Sequence, residues 1–194
     1  MINRRTTSKT LAAVAALALV ATACGSDGGD SASSDGSDGG PFGPACSAVP
    51  TDGEGSFAGM TDDTAATAAS NNPLLSTLVV AVSEAGLVDT LNSDGPFTIF
   101  APTNDAFAAI PEADLAAVLA DKDLLTSILT LHVVAGESLD AEGLGKAGSA
   151  TTVNGADLSF SDDGTSVNGV PVLCSNVTTA NATVHIIGEV LMPG

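Results

Sequence analysis

Two Asn-Gly pairs in the last third of the chain place the strongest limit on its fold. Asn154-Gly155 and Asn168-Gly169 each separate two short runs rich in apolar or β-branched residues. Such a pair favours a two-residue hairpin turn, because both positions tolerate positive φ. The strands predicted around these turns cover residues 151–153, 156–160, 165–167 and 170–173. Helical patterns fill the preceding part, so helices followed by antiparallel strands indicate an α+β domain.

Helix signals define the first part of that domain. Thr61 is predicted to cap a helix whose first turn holds Asp62 and Asp63. A second helix is predicted to begin at Asn72-Pro73 and to stop at Gly86. Two more helices are predicted at 111–120 and 122–131, and further strands at 97–100, 132–135 and 183–191.

The N-terminal residues are typical of an exported protein. Basic residues, a short apolar run and small residues before Cys24 predict a signal peptide over residues 1–23. A cysteine at this point resembles the bacterial lipoprotein signal, which implies a lipid on Cys24 and a place on the outer side of the cell membrane. An ordinary secretory signal is the alternative. Residues 24–44 are predicted to form a disordered acidic Gly/Ser/Asp tether, because this composition does not compensate the entropy of ordering.

Charge excludes two classes of partner. The chain has 23 acidic and 5 basic residues, a formal charge of −18. Three of the basic residues precede Cys24, so the mature chain would keep Lys122 and Lys146 against all the acidic residues, a formal charge of −21. Such a field repels nucleic acid and anionic lipid surfaces. Solubility or a saline habitat explains the acidity without any partner.

The three cysteines allow a simple assignment. With Cys24 lipidated, Cys46 and Cys174 are predicted to form a disulfide in the oxidising exterior. That bond would fix the segment 45–60 to the domain at 61–194. Metal binding is the rival use of these thiols, but the sequence contains no CxxC or Cys-His cluster.

The segment GPFTIFAPTNDAF, residues 95–107, contains the polar residues that most resemble a reactive centre. Pro102 removes a donor from the strand ladder, and Thr103 or Asn104 can accept hydrogen bonds from the first amides of the next helix. Asp105 lies in the first helical turn, where negative charge is favourable. Each polar residue thus has a structural role, and the interpretation favoured here is structural rather than catalytic.

Three ordered motifs resemble those of the fasciclin (FAS1) domain. They are FTIFAPTNDAF at 97–107, LHVVAG at 131–136 and VHIIGEVLMP at 184–193. Further segments resemble the fasciclin-type secreted and lipid-anchored surface antigens of mycobacteria, including ASNNP at 69–73 and LVDTLNS at 87–93. The resemblance implies a wedge of mainly antiparallel strands flanked by helices. It also implies adhesion or protein recognition outside the cell.

Two positions depart from the family pattern. Leu131 stands where the family commonly has Tyr, next to His132. Gly188 replaces an Asp found in animal members implicated in integrin binding, and Glu189 is a carboxylate shifted by one position. The resemblance therefore does not extend to integrin-type recognition.

The remaining candidate residues point away from enzymes. His132 is expected to be a hydrogen-bonded core residue, while His185, Ile187 and Glu189 form a candidate adhesion surface on the last strand. No nucleophile motif or phosphate loop is present, so we expect no catalytic residue, no metal and no cofactor.

The predicted function is a non-enzymatic, monomeric surface module that binds an extracellular protein or matrix component. The alternative is a lipoprotein that captures a ligand or divalent cations with its acidic surface.

Overall fold

The computed structural model describes residues 39–193 of the chain. Its helices are α1 (Phe57–Met60), α2 (Ala65–Asn71), α3 (Ser76–Glu84), α4 (Val88–Leu91), α5 (Asn104–Ala108), α6 (Glu112–Ala120), α7 (Lys122–Leu131) and α8 (Ala141–Ala147). Its strands are β1 (Phe97–Pro102), β2 (Val133–Ala135), β3 (Ser149–Thr151), β4 (Asp157–Ser159), β5 (Ser166–Val167), β6 (Val170–Thr178) and β7 (Ala182–Ile187). Short 3-10 turns cover Cys46–Ala48 and Pro73–Leu75.

The strands form a central sheet with the order β2-β1-β7-β6-β5. β1 and β7 are parallel, with Phe97 opposite Ala182 and Pro102 opposite Ile187, while the other neighbours are antiparallel. β3 and β4 pair as a separate two-stranded antiparallel sheet. The prediction of an α+β fold with mainly antiparallel strands and flanking helices is confirmed.

Both faces of β1 and β7 are buried, and alternate residues point to opposite sides. On one side Ile99, Ala101 and Ile186 pack with Ala68 and other residues of α2, α3 and α7. We call this side the Ala68 face. On the other side Phe100 and Ile187 pack with Leu144, Leu158 and Phe160. This second side is the Phe100 face.

Helix ends match the sequence signals in most places. Asn72 accepts a hydrogen bond from the Leu74 amide, and Gly86 follows α3 with φ +71°, both as predicted. Asp121 accepts from the Asp123 and Leu124 amides, so α7 has the predicted bounds. The predicted helix start at Thr61 is wrong. Ser56 accepts from the Gly59 amide and starts α1, which Thr61 ends, and α2 begins only after Thr64.

The segment before α1 is attached to β6. Phe42 pairs with Ser175, the Ala45 amide donates to the Leu173 carbonyl at 2.9 Å, and Cys46 forms the predicted disulfide with Cys174. The predicted disordered tether therefore ends before residue 44, because backbone hydrogen bonds already hold Phe42. Cys24, the predicted signal peptide and the tether up to residue 38 lie outside the described residues.

Candidate functional site

The junction between β1 and α5 uses its polar side chains to hold backbone. Thr103 Oγ1 accepts a hydrogen bond from the Ala106 amide at 3.2 Å and so caps α5. Asn104 reaches a different helix: its Oδ1 accepts from the Thr77 amide at 2.9 Å, and its Nδ2 donates to the Pro73 carbonyl at 2.9 Å. Asn104 therefore fixes the start of α3 to the junction.

Pro102 and Asp105 complete the junction. Pro102 is buried and is the last residue of β1, opposite Ile187 of β7. Asp105 is exposed in the first turn of α5, where the positive end of the helix dipole favours a carboxylate. The four side chains thus define where a strand becomes a helix.

His132 is buried directly after α7, with hydrogen bonds at both ring nitrogens. Its Nε2 accepts from the Leu191 amide at 3.0 Å, so Nδ1 carries the proton and donates to the Ile128 carbonyl at 2.8 Å. Burial lowers the pKa of His132 to about 4, and the hydrogen bond to Ile128 opposes that shift only in part. The imidazole is therefore neutral at pH 7, and it ties α7 to the C-terminal segment.

His185 is also buried, on the Phe100 face. Its Nε2 must donate to the Leu139 carbonyl at 2.8 Å, and its Nδ1 then accepts from Ser175 Oγ at 3.2 Å. Its ring stacks on Phe100 with centroids 5.6 Å apart. Burial lowers the pKa of His185 to about 4, opposed by the Leu139 carbonyl and the charge of Asp140. His185 and His132 thus hold opposite tautomers and contact different segments.

The candidate adhesion surface on the last strand is corrected by the structure. His185 and Ile187 have no exposed surface. Glu189 is exposed, but it lies beyond β7, which ends at Ile187. The physical reason is that helices and strands cover both faces of β7, so alternation along this strand does not separate a buried face from an exposed one.

Capture of a cation finds no support among residues 39–193. No group of three or more His, Cys, Asp or Glu side chains there could hold a metal ion. The acidic turn at Asp162-Asp163-Gly164 is held by its own hydrogen bonds: Asp163 Oδ1 accepts from Ser161 Oγ at 2.6 Å and from Thr165 Oγ1 at 2.8 Å. These bonds lower the pKa of Asp163 to about 2.

One surface feature was missed by the sequence interpretation. α6 has the sequence EADLAAVLA, seven apolar residues in nine, and none of its residues is buried. Leu119 is 39% exposed and Met192 is 47% exposed, and both line one apolar depression that Leu115 and Val118 also line. These four residues are called the α6 patch. The lack of a polar stripe in α6 was the available signal, since a helix with apolar residues all round normally requires cover.

Comparison with known proteins identifies the family. The fasciclin domain model matches residues 73–193, and the chain belongs to this family. Among solved structures, a FAS1 domain pair from the insect cell adhesion molecule fasciclin I matches with a TM-score of 0.58 and 19% identity, over 70% of this chain and 52% of the other. That likeness supports the fold.

Curated relatives share much more sequence. The cell surface glycolipoprotein MPT83 of Mycobacterium tuberculosis is 48% identical over 148 residues, 73% of this chain. The match spans 66% of that relative, just under two thirds of its length. The immunogenic protein MPB70 of Mycobacterium bovis is 46% identical over 154 residues, covering 76% of this chain and 77% of the relative. Among residues 39–193, no helix has the length and hydropathy needed to cross a bilayer.

Proposed function

We propose that this chain is a cell-surface fasciclin module, anchored by a lipid on Cys24, which binds an extracellular protein without catalysing a reaction. The family model, the insect adhesion molecule and the relatives named as cell surface glycolipoproteins support a role at the cell exterior. The Cys46–Cys174 disulfide suits an oxidising compartment. The mature chain that begins at Cys24 would carry a formal charge of −21, which keeps such a module away from nucleic acid and anionic lipid.

The two imidazoles support a role without catalysis. A general base needs a free nitrogen within reach of a substrate proton. In His132 and His185 both ring nitrogens are hydrogen-bonded within the chain, and neither side chain reaches solvent. Thr103 and Asn104 are bonded to backbone in the same way. These groups are therefore assigned to stability.

The α6 patch carries the proposal of protein binding. Contiguous exposed apolar surface marks interaction sites. In this patch Leu119 and Met192 are exposed, while Leu115 and Val118 are half-buried and pack against the core. Acidic residues flank the patch in sequence, with Glu112 and Asp114 at the start of α6 and Asp121 and Asp123 after its end. An apolar centre with a polar rim is the usual composition of a protein interface. The expected partner surface is an apolar groove bordered by Lys and Arg.

The binding test compares two charge substitutions at exposed apolar positions. Beads coated with the full chain are measured for retention on extracellular matrix material, using the wild type, Leu119→Glu and Val80→Glu. Val80 is 57% exposed on α3 and is not in the α6 patch, so it controls for added charge. Leu119→Glu is expected to abolish retention, while Val80→Glu keeps it. Equal retention by all three chains would refute the α6 patch as the contact surface.

A separate test addresses the anchor. Cys24→Ser removes the thiol that a diacylglyceryl group would modify, so the variant is expected in the medium rather than in the membrane fraction. Cys46→Ser removes a different cysteine and should leave the distribution unchanged. A Cys24→Ser chain that stays with membranes would refute the lipid anchor. Anchored copies acting together would strengthen a weak contact through multivalency.

A further inference from the structure

A cavity of about 130 Å³ lies on the Ala68 face, between α2, α3 and the central sheet. Ala65, Ala68 and Ala101 are part of its lining, together with Leu78 and Ile186. Because native interiors are otherwise close-packed, alanine at these positions leaves a space that longer side chains would fill.

The polar groups that line the cavity all have partners inside the chain. Ser70 Oγ donates to the Ala66 carbonyl at 2.8 Å, and Ser83 Oγ donates to the Val79 carbonyl at 2.8 Å. Asn72 Oδ1 accepts from the Leu74 amide, and Thr179 Oγ1 donates to the Ala182 carbonyl. Asn72 Nδ2 donates to the Met60 sulfur at 3.9 Å, and most of the lining is aliphatic, so a polar ligand would lose more hydrogen bonds to water than it could regain here. The lining therefore selects an apolar ligand.

The volume of the cavity and its opening to solvent restrict the shape of the ligand further. An engineered apolar cavity of about 150 Å³ in another protein stays dry and binds benzene, so a cavity of this size can hold a small hydrocarbon group. Ser70 and Ser83 of the lining are exposed, and Val79 and Val88 are half-buried, so the cavity opens to solvent between α2 and α3. An open cavity admits the end of a longer chain whose head group stays outside.

The exposed carboxylates near the opening restrict the charge that the ligand's head group can carry. Glu84 follows Ser83 and Asp89 follows Val88, and both carboxylates are exposed. With a formal charge of −18 on the whole chain, an anionic head group would be repelled. We propose that this cavity binds the end of an aliphatic chain whose head group is not anionic. This binding goes beyond the proposed adhesion and does not depend on it.

The test is a titration of the full chain with 1-hexanol, followed by methyl signals in ¹³C NMR. Signals of Val82 and Ile186, which line the cavity, are expected to shift and saturate, while those of Val167 and Val172 on the Phe100 face stay in place. Absence of saturable shifts at Val82 and Ile186 up to the solubility of 1-hexanol would overturn the proposal.

Two filling variants show whether the cavity itself is the site. Ala68→Leu is expected to weaken 1-hexanol binding roughly tenfold, since it displaces about two methylene groups of the ligand. Ala69→Leu, at a half-buried lining position, is the second variant if Ala68→Leu does not fold. Undiminished binding in a folded filling variant would overturn the assignment to this cavity.

Two further ligands test the chemical class. Hexanoate has the same chain with an anionic head and is expected to bind more weakly than 1-hexanol; equal affinity would refute the exclusion of anionic head groups. Benzene lacks a chain end, and saturable binding of benzene without binding of 1-hexanol would refute the aliphatic assignment.

Discussion

The two faces of the central sheet are buried by different kinds of side chain. On the Phe100 face, aromatic and long aliphatic residues fill the space, and Phe100 lies 5.7 Å from the Phe160 ring and 5.6 Å from the His185 ring. On the Ala68 face, alanines of α2 and β1 leave a cavity of about 130 Å³. The same two strands supply both faces, but different elements cover them, α2, α3 and α7 on the Ala68 face and α8, β4 and β5 on the Phe100 face.

This contrast shows that burial and packing are separate properties. Ile186 and Ile187 are neighbours on β7 with 1% and 0% exposure, yet Ile186 lines the cavity and Ile187 lies in the filled core. A buried residue beside a void contacts fewer atoms than a buried residue in a close-packed core. The two faces should therefore respond differently to the same substitution.

The largest expected effect comes from truncating these two isoleucines. Ile187→Ala is expected to lower the free energy of unfolding by up to about 5 kcal/mol, and Ile186→Ala by only about 2 kcal/mol, the two ends of the range for such truncations. The reason is that Ile186 already lacks contacts on its cavity side. Denaturant unfolding of both variants measures the difference. Equal losses would remove the contrast between the faces.

Acid should weaken the fold through the two buried imidazoles. Above pH 6.5 both are neutral in the folded and unfolded chains, so the free energy of unfolding is greatest there. Between pH 6.5 and 4 the unfolded chain binds protons that the folded chain cannot, because burial lowers the pKa of His132 and of His185 to about 4. The expected loss is up to about 3 kcal/mol for each histidine.

Unfolding free energies measured from pH 7 to pH 4 check this, together with NMR titration of both imidazoles. His185→Asn should be less stable at pH 7 but should show a shallower decline towards pH 4. Asp105→Asn changes an exposed carboxyl group and should keep the steep decline. Imidazole signals that titrate near pH 6.5 in the folded chain would contradict the prediction.

Substitution at the junction of β1 with α5, which Asn104 links to α3 of the Ala68 face, is expected to have a smaller effect on the free energy of unfolding. Asn104→Ala leaves the Thr77 amide and the Pro73 carbonyl without their partner, and we expect a loss of about 2 kcal/mol in the free energy of unfolding. Asp105→Ala is the neighbouring control and should cost less than about 1 kcal/mol, since only the helix dipole is affected. A loss at Asp105 as large as that at Asn104 would contradict this role.

Local signals in the sequence predicted much of the fold. The helical pattern at 122–131 predicted the bounds of α7, and Asn72-Pro73 predicted the start of the segment that leads into α3, whereas the Asp121 cap was not predicted. The junction 97–107 was predicted as a strand followed by a helix, which the structure shows. These features depend on hydrogen bonds within a few residues, so a short window of sequence contains their cause.

Features that depend on distant contacts were not predicted. Asn104 acts on α3, 27 residues earlier in the chain, and not only at its own junction. α8 contains Gly143 and Gly145, which weaken a helical pattern, and Gly145 lies where a Cβ would meet the Asp162 carbonyl. His185 was placed on an exposed surface because alternation does not reveal a strand covered on both sides. Tertiary packing decides all three.

The smallest expected effects have opposite signs on the two faces, and they test the contrast most directly. Ala68→Leu adds carbon atoms where a cavity exists, so the free energy of unfolding should rise by about 1 kcal/mol. Val167→Leu adds one methylene group to a residue with no exposed surface on the Phe100 face. The free energy of unfolding should therefore fall by about 1 kcal/mol or more, because the core becomes overpacked. Thermal and denaturant unfolding of the two variants measure both signs. A destabilised Ala68→Leu beside a tolerated Val167→Leu would show that the free space lies on the other side of the sheet, and it would remove the basis for a ligand site between α2 and α3.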